Sequence, residues 1–226
     1  MIRILLAMVV SFMFIGCSNV IREIPAGYVG KVLTPSGWQN EIREAGQVDI
    51  GTVGGNGTYN TLVLLEATST AVKESFGQAM GNDKEDHRII IAKTPVTVDV
   101  YIRLIVPTND TLRNAIFRQI TPKSVGERVS TITVANIYEQ FAKMDVRSGV
   151  RAVLQKYNDV NWITSNLDSV NAKLGAMTVE TFKNNGVPLL VQNVTVSNIK
   201  MDESIWVAEN QKAAALSQVE AINKIG

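Results

Sequence analysis

Cysteine and histidine each occur once in this sequence, as Cys17 and His87. A single cysteine excludes an internal disulfide, and a single histidine excludes most histidine-based metal sites. A Cys–His nucleophile pair would need these two residues, but Cys17 ends an apolar leader and His87 lies in a charged segment. No serine has a plausible histidine base elsewhere in the chain. We therefore expect no catalytic residue, no metal, no cofactor and no enzymatic activity.

The chemistry that remains open at Cys17 is acylation. Residues 1–16 have the pattern of a secretory signal peptide, with Arg3 as the positive n-region, an apolar run, and the small Gly16 before the cysteine. The apolar run is shorter than the roughly 20 residues that a transmembrane helix needs. The pattern predicts cleavage before Cys17, and the alternatives are a short uncleaved membrane anchor or a chance cysteine after an ordinary signal.

The four residues 14–17 resemble a bacterial lipobox, in which the cysteine is acylated and becomes the new N-terminus. Phe14 and Ile15 depart from the usual Leu and small residue of that motif. Lipidation of Cys17 with palmitate-type chains would hold the protein on a membrane, because several buried acyl chains anchor stably. Ser18 resembles the residue that sorts lipoproteins to the outer membrane, so we expect a lipid-anchored envelope protein that faces the periplasm.

Composition limits the partners that the chain can bind. The sequence has a formal net charge of +1, and removal of the leader with its Arg3 leaves equal numbers of basic and acidic residues. Only 6% of the residues are aromatic, so stacking platforms for single-stranded nucleic acid are not expected. A hydrophobic content of 46% is sufficient for a folded core. Nucleic acid is therefore excluded as an expected partner, and a folded domain is predicted.

The first half of the chain predicts mainly strands. Alternation is clearest from Val96 to Val106, where every second residue is apolar. Shorter strands are predicted at 28–33, 61–65 and, with Pro95 at a hairpin or bulge, 88–94. The glycine run at 54–57 lacks the Lys-Ser/Thr of a phosphate loop and indicates a turn. The segment 68–87 is polar, and the charge run at 81–86 within it is predicted to be a solvated loop.

The second half favours helices. Apolar residues at three- and four-residue spacing predict helices at 112–120, 123–143, 148–157 and 162–183. The sequence Asn184-Asn185-Gly186 is typical of a helix C-terminus. A strand with strict alternation follows, with Leu190, Gln192 and Val194 on one face. The order of strands, helices and a returning strand predicts an α+β fold.

Residues 201–226 predict a C-terminal helix with short coiled-coil character. An a/d heptad seam follows steps of three and four residues through Ile205, Ala208, Lys212, Ala215, Val219 and Ile222. We interpret this seam as an oligomerisation surface, and the alternative is a helix that folds back on its own domain. Because the seam is short and rich in alanine, lateral domain contacts and confinement by Cys17 would have to contribute to assembly.

Five segments resemble, in order and spacing, those of the SPFH family, also called band 7 or prohibitin-like, which includes stomatin, prohibitin and flotillin. They lie at 24–32, 44–46, 97–104, 150–154 and 186–199. The sequence departs from the family pattern at Ala45 and Met201, where Pro is common, and at Asn198, where Asp is common. The resemblance implies an SPFH domain over residues 17–200 and the start of a coiled coil at 201–226.

The resemblance also implies a role. Members of this family are membrane-bound scaffolds that form homo-oligomers and organise or regulate partner membrane proteins, including membrane proteases. We therefore expect a self-assembling scaffold, anchored to the lipid membrane through acylated Cys17, with an integral membrane protein or a membrane protease as a possible partner. The alternative function is that of a monomeric envelope lipoprotein with a ligand pocket in its β-rich half.

Overall fold

The structure is a computed structural model that describes residues 19–51, 59–79 and 85–201, together with Ile205, Val207, Ala208, Gln211 and Ala215. The described chain is mixed α+β, with strands in its first half, helices later and then a returning strand, which confirms the predicted class. It divides into two compact units. The first contains the described residues up to Thr68 and Val106–Asn136, and the second contains Ser69–Ile105 and the described residues from Ile137 onward.

The first unit contains two sheets in the described part of the chain. Their strands are β1 (Ile21–Ile24), β2 (Tyr28–Thr34), β3 (Gly37–Trp38), β4 (Gly46–Asp49), β5 (Thr61–Glu66), β9 (Lys123–Gly126) and β10 (Val129–Ile132). The larger sheet has the order β3-β2-β5-β10-β9, and β1 pairs antiparallel with β4. The β5–β10 pair is parallel, whereas β2–β5 and β9–β10 are antiparallel. The strand that fills the middle of this sheet therefore pairs with a segment more than 60 residues away.

Apolar side chains from four strands and the residue after β4 form the core of the first unit. They are Ile24, Val32, Val48, Ile50, Leu62 and Leu64. Gly30 in β2 allows β1 to cross closely, because a Cβ at this position would lie 2.5 Å from Ile24 Cδ1. Real Cβ contacts are not that short, so this position excludes a side chain while Ile24 stays in place.

The predicted helix at 123–143 is wrong over its first ten residues, which form the β9–β10 hairpin. Val125, Val129 and Ile132 happen to recur at helical spacing, which favoured the wrong period. The hairpin is stabilised by the parallel pairing of β10 with β5, a long-range contact that overrides local periodicity. The helix of this region, α2, covers only Val134–Phe141.

The helix predicted at 112–120 is confirmed as α1 (Asp110–Gln119). It begins after Asn109, whose side-chain oxygen accepts hydrogen bonds from the backbone N–H groups of Thr111 at 2.8 Å and Leu112 at 3.3 Å. Such an N-cap satisfies donors that the first helical turn leaves free. Asp110 in the first turn and Arg118 in the last turn also complement the helix dipole.

The sheet of the second unit is built around a long strand. Its described members are β6 (Thr70–Phe76), β7 (Ile89–Ile91), β8 (Thr94–Ile105) and β11 (Leu190–Met201), in the order β11-β8-β6, with β7 also paired to β8. The predicted alternation in β8 is confirmed, since its even-numbered residues from Val96 to Leu104 are buried. Alternating burial of this kind is typical of a strand with one face on a core.

Strand β6 lies in the polar segment 68–87, for which no strand was predicted, and residues 81–84 of the charge run predicted as a loop lie outside the described residues. Its residues pair antiparallel with β8, from Thr70 opposite Leu104 to Phe76 opposite Val98. The strand was missed because one of its inward positions is Glu74, which is only 2% exposed. A charged residue on the core face conceals the alternation by which strands are recognised in a sequence.

The turn between β7 and β8 lies at Ala92 and Lys93, and not at Pro95. Both residues have positive φ, 48° and 73°, as a two-residue hairpin turn of the primed type requires. Pro95 is the second residue of β8 and lies opposite Ile90. The predicted hairpin is therefore correct, and its turn lies two residues earlier than the proline suggested.

Three further helices follow α2. They are α3 (Lys143–Leu154), α4 (Val160–Ser165) and α5 (Leu167–Asn184). The single helix predicted at 162–183 is interrupted at Asn166, whose φ and ψ of −127° and 36° are not helical. The side chain of Asn166 donates to the carbonyl of Trp162 at 2.8 Å, so it terminates α4. Helix α5 still presents the predicted apolar stripe, with Val170, Leu174 and Phe182 buried.

Strand β11 is confirmed, but its strict two-residue alternation is not. The pairing with β8 shifts register between Val191 and Asn193 and again between Val196 and Asn198, which are β-bulges. Each bulge adds a residue to one strand and reverses the faces beyond it. As a result Val194 is buried, whereas Leu190, predicted on the same face, is 53% exposed.

Candidate functional site

The predicted anchor lies outside the described residues. This holds for Cys17, for the leader at 1–16, and for Lys212, Val219 and Ile222 of the predicted seam. Among the described residues, no helix is both long enough and apolar enough to span a membrane. Acylation of Cys17 and the three seam positions outside the described residues therefore stay predictions.

The other half of the predicted seam lies on described helical positions. Ile205, Ala208 and Ala215 are helical, as are Val207 and Gln211. Ile205 is half-buried, whereas Ala208 and Ala215 are exposed and Val207 is 41% exposed. Two small seam residues are thus accessible, which a surface for close helix approach requires.

A pocket in the first unit surrounds the tip of the β9–β10 hairpin. It has a volume of about 520 Å³ and is lined by Tyr59, Thr61, Ser124, Gly126, Glu127, Arg128, Val129 and Ser130. Hydroxyl groups come from both strands of the hairpin and from β5. The charged groups of the lining are the Arg128 guanidinium and the Glu127 carboxylate. A pocket of this volume is typical in size of small-molecule sites.

Arg128 is the unusual residue of this pocket. It is 7% exposed and has a φ of +60°, a conformation that favours glycine or asparagine. Its Nε donates to the carbonyl of Asn60 at 3.0 Å, and its Cζ lies 5.6 Å from the centroid of the Tyr59 ring. Nη1 and Nη2 are buried and have no hydrogen-bond partner in the described part of the chain. The guanidinium is therefore held at one nitrogen and unsatisfied at the other two.

The sequence contained a weak signal for this pocket that periodicity concealed. The turn candidate at 126–128 lies between Val125 on one side and the β-branched residues Val129, Thr131 and Ile132 on the other, which is a hairpin pattern. Because 123–143 was predicted to be helical, Arg128 was not recognised as a turn residue. Its burial depends on β5 and on Asn60, 68 residues earlier, and local sequence carries no information on that contact.

A buried ionic cluster lies between β6 and α3 in the second unit. Arg147 Nη1 donates to Glu74 Oε2 at 2.5 Å and to the carbonyl of Ser75 at 3.2 Å. The Arg147 guanidinium also lies over the Phe76 ring, with its Cζ 4.6 Å from the centroid. Burial raises the pKa of the Tyr138 hydroxyl well above its ordinary value, and the Glu74 carboxylate raises it further. Glu74 and Arg147 are paired and largely enclosed, which is typical of a structural ion pair, whereas the Tyr138 hydroxyl has no hydrogen-bond partner in the described part of the chain.

Asp99 on β8 forms an ionic cluster with β6 residues on the strand face opposite to Glu74. It accepts from Ser75 Oγ at 2.7 Å and pairs with Lys73 Nζ at 3.1 Å. Burial acts to raise the pKa of the Asp99 carboxyl, but the bonds from Ser75 and Lys73 outweigh it, and the pKa lies below its ordinary value. Hydrogen bonding to the charged form stabilises a carboxylate in this way.

Lys31 in β2 is a buried amine in the first unit. It is 3% exposed, and its ammonium donates to Asn114 Oδ1 and lies 5.9 Å from the centroid of the Phe117 ring. Burial lowers the pKa of Lys31, and the charge of Arg118 lowers it further, while Asp110 acts in the opposite direction. Because Asn114 and Phe117 both contact the ammonium, we interpret Lys31 as a packed core residue.

Comparison with known proteins does not assign this chain to a family. No protein-family model matches the chain, and no curated protein matches it. The resemblance to the SPFH family therefore stays a prediction from the sequence. Of the arrangements above, the Arg128 pocket is the one whose lining includes a buried charged side chain with donors that are unpaired in the described part of the chain.

Proposed function

We propose that this protein is a membrane-anchored, self-assembling scaffold that organises or regulates partner membrane proteins, as SPFH family members do. The observation that carries the proposal is the path of the chain after β11. The strand is followed within a few residues by helical positions, at which Ala208 and Ala215 of the seam are exposed. A helix with accessible small residues at a/d spacing can pack closely against a second copy. The leader and Cys17 support a lipid anchor on the same chain.

Assembly is tested on the full chain extracted from membranes in mild detergent. The variant A208E/A215E places two carboxylates in the seam, where association would have to desolvate them. We expect a large oligomer for the natural sequence and at least a tenfold weaker association for this variant. V207E is the matched control, because Val207 is exposed and helical but lies outside the seam.

Two results would contradict the scaffold proposal. One is a natural chain that is monomeric at micromolar concentration in mild detergent. The other is an oligomer that A208E/A215E and V207E weaken equally, since the seam would then have no special role. Mass spectrometry of the same sample tests the anchor, because a chain with an intact Met1 is not an acylated lipoprotein.

A second candidate function is that of a monomeric ligand-binding envelope lipoprotein. One observation favours it, the pocket of about 520 Å³ in the β-rich first unit. A ligand that binds only the folded chain raises the melting temperature in proportion to the logarithm of its concentration. For this candidate the ligand should stabilise the protein, and deletion of residues 202–226 should leave its mass in solution that of a monomer.

A further inference from the structure

The Arg128 guanidinium is the least explained charged group of the described chain. Burial removes it from water, and an ionised group out of water requires either a partner charge or hydrogen bonds. Its Nε has such a bond, to Asn60, while Nη1 and Nη2 have none among the described residues. None of the described ion pairs involves Arg128. A bound anion would accept hydrogen bonds from these two buried nitrogens and balance the charge of the guanidinium.

The surroundings of the two free nitrogens fit an anion better than a structural role. The bond from Nε to Asn60 orients the side chain, and the Tyr59 ring flanks it, so the guanidinium plane is set in advance. Hydroxyl groups of Thr61, Ser124 and Ser130 line the same pocket and can donate to an acceptor. A preset donor array costs little entropy to bind a ligand.

We propose that this pocket binds a small organic oxyanion, a carboxylate or a phosphate monoester, by bidentate pairing with Nη1 and Nη2 of Arg128. Two parallel N–H donors match two oxygens of either group, and such pairs are the strongest charge-assisted hydrogen bonds in proteins. The volume of about 520 Å³ exceeds the need of a bare anion, so the organic body of the ligand also enters. Val129 and the Tyr59 ring supply apolar surface for it. This site depends on neither the anchor nor the seam.

The test uses the full chain in mild detergent with benzoate, phenyl phosphate and the neutral benzamide as probes. The three share a phenyl body and differ in charge, so the contribution of the anionic group is isolated. Ligand-observed NMR at constant ionic strength follows binding up to about 10 mM, the range that fragments of this size require. We expect benzoate or phenyl phosphate to bind at least about tenfold more tightly than benzamide.

Two variants at position 128 test the bidentate contact. R128G removes the guanidinium and relieves the positive φ of 60°, so the hairpin keeps its backbone. R128K keeps the charge but lacks the two parallel donors. We expect at least a tenfold loss of anion affinity in both. R103Q is the control, because Arg103 is an exposed arginine on β8 in the second unit. The anion affinity of R103Q should equal that of the natural chain.

The anion affinities of the variants decide whether Arg128 forms the site. Anion binding that R128G and R128K both weaken at least tenfold and R103Q retains would support the site, and full affinity in R128K would refute the bidentate contact. Binding of neither anion, equal binding of benzamide, or full affinity in folded R128G would overturn the proposed site. The size of the oligomer is measured on the same samples, so failure of the anion site and failure of the scaffold proposal are distinguishable.

Discussion

Removal of the Arg147 charge should destabilise the second unit far more than removal of an exposed charge. Glu74 Oε2 and Arg147 Nη1 are 2.5 Å apart, and their side chains are 3% and 18% exposed. The variant R147M leaves the carboxylate buried without a partner, which costs about 3–5 kcal/mol in fully buried pairs. Because Arg147 retains some solvent contact, we place the loss at about 3 kcal/mol, the low end of that range.

The matched control is K143M, which removes the charge of Lys143 on the same helix. Its ammonium pairs with Glu139 at 3.4 Å, but the two side chains are 40% and 58% exposed. Exposed helical pairs of this spacing contribute about 0.3–0.5 kcal/mol. The two variants should therefore differ by about 2.5 kcal/mol in the free energy of unfolding.

The assay is urea denaturation of the full chain in mild detergent, followed by circular dichroism. In a chain of this size a loss of about 3 kcal/mol also lowers the melting temperature by about 6–12 °C. Because the chain has two compact units, amide hydrogen exchange in β6 should be used to locate the loss. The double variant E74M/R147M replaces the pair with apolar side chains and should recover most of the stability. The reasoning is refuted if R147M costs no more than K143M, or if the double variant is less stable than R147M.

Three further predictions concern stability. G30A should lower the free energy of unfolding by about 1–3 kcal/mol, because the added Cβ would clash with buried Ile24. G126A is the control, because a Cβ at Gly126 would have no atom within 4 Å. Equal effects of the two variants in thermal denaturation would contradict the close-packing argument. N109A should cost about 1 kcal/mol through loss of the α1 N-cap, and unchanged urea denaturation would argue against that cap. Because the pKa of Asp99 is depressed in the folded chain, its stabilisation is complete above the ordinary pKa of about 3.9 and is lost as pH falls through the folded pKa. D99N should therefore show a shallower loss of stability between pH 5 and 2 than the natural chain, and parallel curves would refute the assignment.

The elements that were predicted correctly depend on signals within a few residues. Strand β8 alternates over its whole length, and α1 lies between the turn residues that end β8 and the break at Pro122. The returning strand β11 was also found, because its β-branched residues favour extended backbone. The bulges that exchange its faces were not found, since they depend on the register of the facing strand.

The missed elements depend on distant partners. Strand β6 carries Glu74 on its core face, and that is tolerated only because Arg147, 73 residues later, neutralises it. The β9–β10 hairpin imitates helical spacing and is held as a sheet by β5. A local pattern cannot report either contact, so β6 was not predicted and the hairpin was predicted to be helical.

The sequence by itself determined the features that are local or compositional. These are the apolar run before Cys17, the formal net charge of only +1, the single cysteine and single histidine, and the α+β order. Only the tertiary structure decided that Glu74 is buried against Arg147 and that Arg128 lies in a pocket with two free nitrogens. The physical reason is that the environment of a charge is set by whatever the fold brings beside it, from residues 68 and 73 positions away in these cases. A periodic pattern, in contrast, is complete within one element.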